Sequence, residues 1–147
     1  MNKEGLQHTA EEHLKQYSDS VSWSECDLSD PSAIRDTIKK AAEFLGGRID
    51  FLVNNAGISN PYWPDGKTME DPSTLEQWKQ YVDVNLTGNF VLGQACIPYM
   101  KVEDSGEKQK LPESKTGTTG PCIINVSSFR GTVSDPNQEG YAATKGK

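Results

Sequence analysis

Tyr141 and Lys145 are the two residues whose types and spacing most directly indicate proton-transfer chemistry in this chain. They lie four residues apart in a segment of helical character, so their side chains are expected on one face of a helix. A free tyrosine has a pKa of about 10 and is a weak base at neutral pH, but a neighbouring ammonium lowers that pKa. The pair is therefore suited to acid/base catalysis at an alcohol or carbonyl oxygen. A solvent-exposed Tyr–Lys pair on a polar helix is the alternative.

Ser127 and Ser128 follow an apolar run from Cys122 to Val126 that has the character of a buried strand. Open α/β sheets bind ligands at the carboxyl ends of their strands, so a hydroxyl here is placed to reach a substrate oxygen. We interpret Ser128 as the residue that hydrogen-bonds this oxygen and Ser127 as structural. Ordinary turn or capping chemistry is the alternative for both.

Two further polar motifs stand beside apolar segments. Asn85 lies within an apolar helical pattern, where a buried amide needs hydrogen-bond partners. The tetrapeptide Asn54-Asn55-Ala56-Gly57 follows a short apolar run at residues 49–53, and its small residues would let a ligand approach the backbone closely. The alternative to a functional role is a structural amide for Asn85 and a simple turn for residues 54–57.

In this order, the motifs resemble those of the short-chain dehydrogenase/reductase family over nearly the whole chain. The resemblance implies that Tyr141 is the acid/base and that Lys145 both tunes it and binds the nicotinamide ribose. It also implies that Ser128 orients and polarises the carbonyl. In the family, the position of Asn85 kinks its helix and holds a water in the proton relay.

The same resemblance implies an NAD or NADP cofactor. The residues that would contact it are Asp27, Leu28, Asn54, Asn55, Ala56, Gly57, Tyr141 and Lys145. Asp27 matches the position that contacts the adenine in the family, and a helix-entry turn is the alternative. The family's glycine-rich turn, which binds the pyrophosphate at a helix N-terminus, has no counterpart in this sequence. The strand that distinguishes NAD from NADP has none either, so the sequence does not choose between them.

The order of these segments predicts part of a doubly wound, Rossmann-type parallel sheet in an α/β fold. We expect three parallel strands, at residues 21–26, 49–53 and 122–126, with helices on both faces. Residues 1–147 would form one incomplete NAD(P)-binding domain, the middle part of a single-domain enzyme. The segments 58–72 and 101–121 are expected to be surface loops.

Apolar spacing predicts three helices, and a fourth begins near Asn137. The first covers residues 3–17. The second begins with Asp30 as N-cap and Pro31 at its first position and ends at Gly46-Gly47, and its expected buried stripe is Ile34, Ile38, Ala41 and Leu45. The third runs from Leu75 to about Met100, and its stripe is expected to be buried in the domain or against another subunit. That stripe is Leu75, Trp78, Val82, Leu86 and Phe90.

Bulk properties exclude several functional classes. The net charge of −6 argues against nucleic acid and anionic membrane surfaces as partners. No apolar run approaches the roughly 18 residues of a membrane span, and no signal peptide is evident, so we expect a cytoplasmic protein. Cys26, Cys96 and Cys122 are expected to be buried thiols without metal-binding spacing. His8 and His13 are five apart and are expected to be solvated without sharing a helix face.

Two functional hypotheses follow. In the first, the sequence belongs to an NAD(P)-dependent oxidoreductase that interconverts a small-molecule alcohol and a ketone or aldehyde by hydride transfer, as a homo-oligomer. The 147 residues alone would be inactive, since the family's glycine-rich turn and C-terminal substrate region are absent from them. In the second, the chain is a truncated, non-catalytic remnant that binds a homologous subunit through its long apolar helix.

Overall fold

The computed structural model describes residues 3–59, 70–71, 74–100 and 121–146. The predicted loops at 58–72 and 101–121 lie almost entirely outside these ranges. The α-helices are α1 Lys3–His8, α2 Pro31–Phe44, α3 Thr74–Tyr81, α4 Gly88–Met100 and α5 Glu139–Lys145, and the strands are β1 Phe51–Asn54 and β2 Cys122–Asn125. Two π-helical segments, Thr9–His13 and Val82–Thr87, and two short 3₁₀ turns, Lys15–Tyr17 and Phe129–Gly131, complete the described elements.

The two strands form a parallel pair in which Phe51 is opposite Cys122 and Asn54 is opposite Asn125. A parallel pair needs a long crossover connection, and here α3, the second π segment and α4 provide its described part. The carboxyl ends of both strands therefore meet at one edge of the sheet. The residues just after Asn54 and Asn125 are those predicted to carry the chemistry.

The α/β class with a parallel sheet and flanking helices is confirmed, but the prediction of three strands is wrong for the described residues. Residues 21–26 have no strand structure, and β1 and β2 pair with each other. A strand is maintained by ladder hydrogen bonds to a neighbour, and neither β1 nor β2 lies beside residues 21–26 to supply them. Local propensity is not sufficient without that neighbour.

The sheet is covered on one face only by the described residues, whereas helices on both faces were predicted. Leu52 packs against a core formed by α2 and α4, and Asn54 is buried. The alternate residues Phe51 and Val53 point the other way and are 66% and 55% exposed. The core residues are Ile34, Ile38, Ala42, Ile49, Val91 and Cys96.

Both ends of α2 follow from local chemistry, as predicted. The Asp30 carboxylate accepts hydrogen bonds from the backbone N–H groups of Ser32 and Ala33, and Pro31 is the first helical residue. Gly46 and Gly47 end the helix with φ of +74° and +90°, a region that glycine enters without strain.

The buried stripe of α2 is partly as predicted. Ile34 and Ile38 are buried, but Ala42 takes the next buried position and Ala41 is only partly buried. Leu45 is 53% exposed because it lies beyond the last helical residue, Phe44, and no longer follows the helical spacing.

The predicted stripe of the long helix is not buried within the described chain, and its burial against another subunit stays a prediction. Its Leu75, Trp78, Leu86 and Phe90 side chains are between 40% and 69% exposed. The side that faces the rest of the described chain carries Tyr81, Asn85, Gly88, Asn89, Val91 and Cys96 instead. The difference exists already before the π segment at 82–87, since Leu75 and Trp78 are exposed while Tyr81 is buried. The buried side continues from Tyr81 to Asn85 and Asn89 at intervals of four residues, so the stripe was assigned to the opposite side of a regular helical pattern.

A π segment changes the N-terminal helix. Residues 9–13 adopt π-helical hydrogen bonding, so residues five apart come to lie over one another. The rings of His8 and His13 meet edge to face with their centroids 5.4 Å apart. The prediction that they do not share a face is wrong, although both are exposed.

The three cysteines differ in environment. Cys96 is buried, Cys26 is partly buried and Cys122 is exposed, so burial was predicted wrongly for Cys122, which lies on the sparsely covered strand β2. No disulfide links them. In the described part of the chain, no helix combines the length and apolarity that a membrane crossing requires.

Candidate active site

The candidate site is the edge of the sheet where β1 and β2 end and where α5 and the second π segment cross. Residues 54–57 leave β1 here, and residues 125–128 leave β2 here. α5 carries Tyr141 and Lys145, and the π segment carries Asn85. Four separate parts of the chain therefore converge on this edge.

Tyr141 and Lys145 lie side by side on α5. The Lys145 Nζ is 5.7 Å from the centroid of the Tyr141 ring. Lys145 is only 5% exposed, and its Nζ donates a hydrogen bond of 3.0 Å to the Val126 carbonyl just beyond β2. A buried ammonium is costly unless its donors are used, so this bond fixes the Lys145 head group at the end of the strand.

Ser127 and Ser128 occupy the loop between β2 and the 3₁₀ turn. The Ser127 hydroxyl donates to the Lys145 carbonyl at 2.5 Å, which anchors the end of α5 to the end of β2. The Ser128 oxygen accepts a 3.3 Å bond from the Arg130 N–H and thus caps the turn. Because the Ser128 oxygen is the acceptor in this bond, the cap does not use its O–H.

Gly131 makes the approach of this loop to α5 possible. A Cβ at this position would collide with the carbonyl group of Lys145. The glycine three residues after Ser128 therefore has a packing reason, because only a residue without a side chain lets the turn lie against the end of α5.

Asn85 links the strand β1 loop to α5. Its side chain is 1% exposed, and its Oδ1 accepts from the Ile58 N–H at 2.8 Å. Its Nδ2 donates to the Ile58 carbonyl at 2.9 Å and to the Thr144 hydroxyl at 3.2 Å. Gly57 is required beside it, since a Cβ there would be 2.7 Å from Oδ1 of Asn85. These hydrogen bonds agree with the interpretation of Asn85 as a structural amide.

Asn54 begins a second set of buried amide contacts. Its Nδ2 donates to Oδ1 of Asn125 at 2.9 Å and to the carbonyl of Asn89 at 3.4 Å. The Asn89 Nδ2 in turn donates to the Asn85 carbonyl at 2.7 Å, within the π segment. Among the residues described, the Oδ1 atoms of Asn54 and Asn89 are buried without a hydrogen-bond partner. Asn55, Ala56 and Gly57 follow as an exposed surface.

Asp27 and Leu28 lie away from the catalytic pair's contacts. The Asp27 carboxylate is exposed and accepts from the hydroxyl and the N–H of Ser29, and these hydrogen bonds lower the pKa of Asp27. These bonds agree with the turn interpretation of Asp27, and its contact with a cofactor stays a prediction. The Leu28 carbonyl lies against Gly88, where a Cβ would be 2.5 Å away, so Leu28 meets the start of α4.

Sequence reasoning missed Tyr81, Asn89, Gly140 and Thr144. Tyr81 is 3% exposed, and its ring and that of Tyr141 meet at 61° with centroids 6.3 Å apart. Burial raises the pKa of Tyr81, and the neighbouring Tyr141 contributes to the increase. Tyr81 and Asn89 each lie four residues from Asn85, so the i±4 positions around a buried amide were the available signal.

The chain matches a family model along its whole length and individual proteins over most of it. The family model described as short chain dehydrogenase matches residues 1–147. An uncharacterized oxidoreductase of Thermotoga maritima is 32% identical over 136 residues, 92% of this chain and 44% of that protein. The 15-hydroxyprostaglandin dehydrogenase of Rattus norvegicus is 30% identical over 121 residues, 82% of this chain and 35% of that protein. The chain thus spans less than half the length of these relatives.

Solved structures are similar in fold as well. NAD⁺-bound xylitol dehydrogenase matches with a TM-score of 0.72 and 27% identity over 99% of this chain and 48% of that one. A short chain dehydrogenase of Burkholderia cenocepacia in complex with NADP matches with a TM-score of 0.59 and 27% identity. That match covers 83% of this chain and 40% of the other.

Proposed function

Because the chain belongs to the short-chain dehydrogenase family, we propose that it forms part of an NAD(P)-dependent oxidoreductase. This enzyme would interconvert an alcohol and a ketone or aldehyde. The observation that carries this proposal is the buried Lys145 ammonium, 5.7 Å from the centre of the Tyr141 ring, at the carboxyl edge of a parallel sheet. This is the edge at which open α/β sheets bind ligands. A phenol beside a fixed cation is suited to exchanging a proton with a substrate oxygen.

The residues present fit the nicotinamide–ribose half of such a cofactor. The Lys145 Nζ has three N–H donors, and one of them bonds to a described residue, the Val126 carbonyl. Two donors of a buried ammonium are thus available for ribose hydroxyls. Asn55, Ala56 and Gly57 are exposed and have no large side chains, so a cofactor could lie against their backbone. The nicotinamide would supply the hydride.

In this proposal Tyr141 gives a proton to the carbonyl oxygen during reduction and removes one from the alcohol during oxidation. Ser128 donates its hydroxyl hydrogen to the same oxygen and holds it in place, which its capping bond to the Arg130 N–H allows. Lys145 keeps a positive charge beside Tyr141 and binds the ribose. Asn85 supports the proton relay, held by Ile58 and Thr144.

Replacement of Tyr141 by Phe tests the proton-transfer role. In the intact protein we expect kcat to fall by at least about 10²-fold, the usual contribution of acid/base catalysis, while the dissociation constant for NADH or NADPH changes little. Activity is measured by cofactor absorbance with a panel of cyclohexanone, acetoin and ethyl acetoacetate, and binding by cofactor fluorescence. Retention of more than a few per cent of the activity by Tyr141→Phe would refute the acid/base assignment.

Lys145→Ala is the companion variant. It removes both the charge beside Tyr141 and the proposed ribose contact, so we expect weaker cofactor binding as well as a lower rate. An unchanged dissociation constant for NADH or NADPH would show that Lys145 does not bind the ribose. The role of Tyr141 would then be tested by Tyr141→Phe alone.

A second candidate function is a subunit-interaction module without catalysis. The observation in its favour is the outward side of the long helix, where Trp78, Leu86 and Phe90 are 43%, 40% and 69% exposed. Apolar side chains in such number at one surface are typical of interaction sites. Saturable quenching of the protein's tryptophan fluorescence on titration with NADH or NADPH would favour the enzyme. Its absence in a protein that forms a stable complex would favour the module.

A further inference from the structure

Tyr81 makes an unusual pair of contacts with α5. It is the last residue of α3, and its ring meets the Tyr141 ring edge to face with centroids 6.3 Å apart. The same ring covers Gly140, where a Cβ would be 2.6 Å from Cδ2 of Tyr81. One aromatic ring therefore fills the space of a side chain at position 140 and touches the proposed acid/base at position 141.

A second contact lies one turn further along both helices. Asn85 is four residues after Tyr81, and its Nδ2 donates to the hydroxyl of Thr144, three residues after Tyr141. The long helix thus holds α5 at two levels, by a ring at Gly140–Tyr141 and by a hydrogen bond at Thr144. Two such contacts define both the distance of α5 and its rotation about its own axis.

We propose that Tyr81 is a positioning residue for the alcohol–carbonyl reaction, because its ring sets the rotation of α5 and thereby the direction of the Tyr141 hydroxyl. The inference rests on the proposed function, since the direction of Tyr141 matters to the rate only if Tyr141 exchanges a proton with the substrate. An edge-to-face contact of two rings is directional and uncharged, which suits this task. Burial raises the pKa of the Tyr81 phenol, which favours its neutral form.

The first arm of the test compares two replacements of Tyr81 in the intact protein. Tyr81→Phe keeps the ring, so we expect its kcat on the ketone panel to stay within about twofold of the wild type. Tyr81→Leu removes the ring, and we expect kcat to fall about tenfold or more, because small misplacements of a reacting group are costly. The NADH or NADPH dissociation constant should remain within about twofold in both, whereas general unfolding would weaken binding too.

The second arm reaches the same contact from α5 and does not depend on the stability of Tyr81→Leu. The methyl group of Gly140→Ala has to displace the Tyr81 ring, so we expect a similar fall in kcat. In the Tyr81→Leu background the ring is gone, and Gly140→Ala should then change kcat by less than about twofold. Gly93→Ala is the matched control, because its Cβ would meet Ile123 at an ordinary 3.6 Å.

The outcomes separate the two proposals. Wild-type activity in Tyr81→Leu, an equal loss in Tyr81→Phe, or independent multiplying effects of Tyr81→Leu and Gly140→Ala would each overturn the positioning role. If any of these occurs while Tyr141→Phe is inactive, only the positioning role fails. An active Tyr141→Phe overturns the acid/base assignment and the positioning role with it.

Discussion

Buried polar side chains hold the proposed catalytic pair in place, and each does so through a named hydrogen bond. Thr144 is 1% exposed and is used twice: its hydroxyl accepts from the Asn85 amide at 3.2 Å and donates to the Tyr141 carbonyl at 2.9 Å. Ser127 holds the carbonyl of Lys145 in the same way. At this scale the site depends on satisfied polar groups, because a buried amide or hydroxyl without a partner is costly.

Replacement of Thr144 by Val should destabilise the protein while preserving its shape. The substitution removes the acceptor for one N–H of the Asn85 amide, so we expect a loss of about 1–3 kcal/mol in the free energy of unfolding. Urea denaturation followed by circular dichroism measures the change. Thr132→Val is the control, since that hydroxyl is exposed and donates to the Phe129 carbonyl at the surface. Equal losses in the two variants would contradict the prediction.

At the scale of elements, the entry of the chain into α5 is set by one residue with positive φ. Asn137 has a φ of 64°, the left-handed region that Asn tolerates better than most residues. Its N–H donates to the Glu139 carboxylate, and α5 begins at Glu139. The direction of α5, and so of Tyr141, follows from this turn.

Replacement of Asn137 by Gly or by Ala should change the free energy of unfolding by different amounts. Gly adopts the left-handed conformation without a steric cost, whereas Ala incurs about 1–2 kcal/mol. This exceeds the entropy of about 0.5–1 kcal/mol that Gly loses on folding, so Asn137→Gly should be more stable than Asn137→Ala. Thermal or urea unfolding gives the difference. The matched pair is Ser134→Gly and Ser134→Ala in the same loop, where φ is not positive and Ala should be at least as stable as Gly. The same order at both positions would contradict the argument.

At the scale of the whole molecule, the described chain leaves apolar surface uncovered. One face of the sheet exposes Phe51 and Val53, and a groove of about 520 Å³ opens between α4 and the strands. Phe90, Ile97 and Ile123 line this groove. Apolar surface of this kind promotes association between chains.

The 147-residue chain produced alone should therefore bind the dye ANS and self-associate. The substitutions Phe51→Lys and Val53→Lys should reduce both dye binding and self-association, because the added charges interrupt the apolar face of β1. Size-exclusion chromatography with light scattering measures the association, and dye fluorescence reports the exposed apolar surface. Ser134→Lys adds a charge at an exposed loop position and serves as control. A monomeric wild-type chain without dye binding would show that this face is covered.

Features that depend on neighbours in the sequence were predictable. Asp30 and Pro31 at the start of α2 and Gly46-Gly47 at its end are local capping chemistry. The proximity of Tyr141 and Lys145 follows from the geometry of one helical turn. The presence of β1 and β2, and the meeting of their carboxyl ends, follow from two short apolar runs in a parallel α/β order.

Only the tertiary structure decided which faces are buried and which distant residues meet. Asn85 faces inward because the loop after β1 and α5 pack against it, whereas Phe90 lies on the other side of the long helix and is 69% exposed. Asn85 and Thr144, like Tyr81 and Gly140, are 59 residues apart, so their contacts exist only once α3, α5 and the strand ends have packed together. Spacing along the chain determines which side chains share one face of a helix, as Tyr141 and Lys145 do on α5. Packing determines which distant residues contact that face.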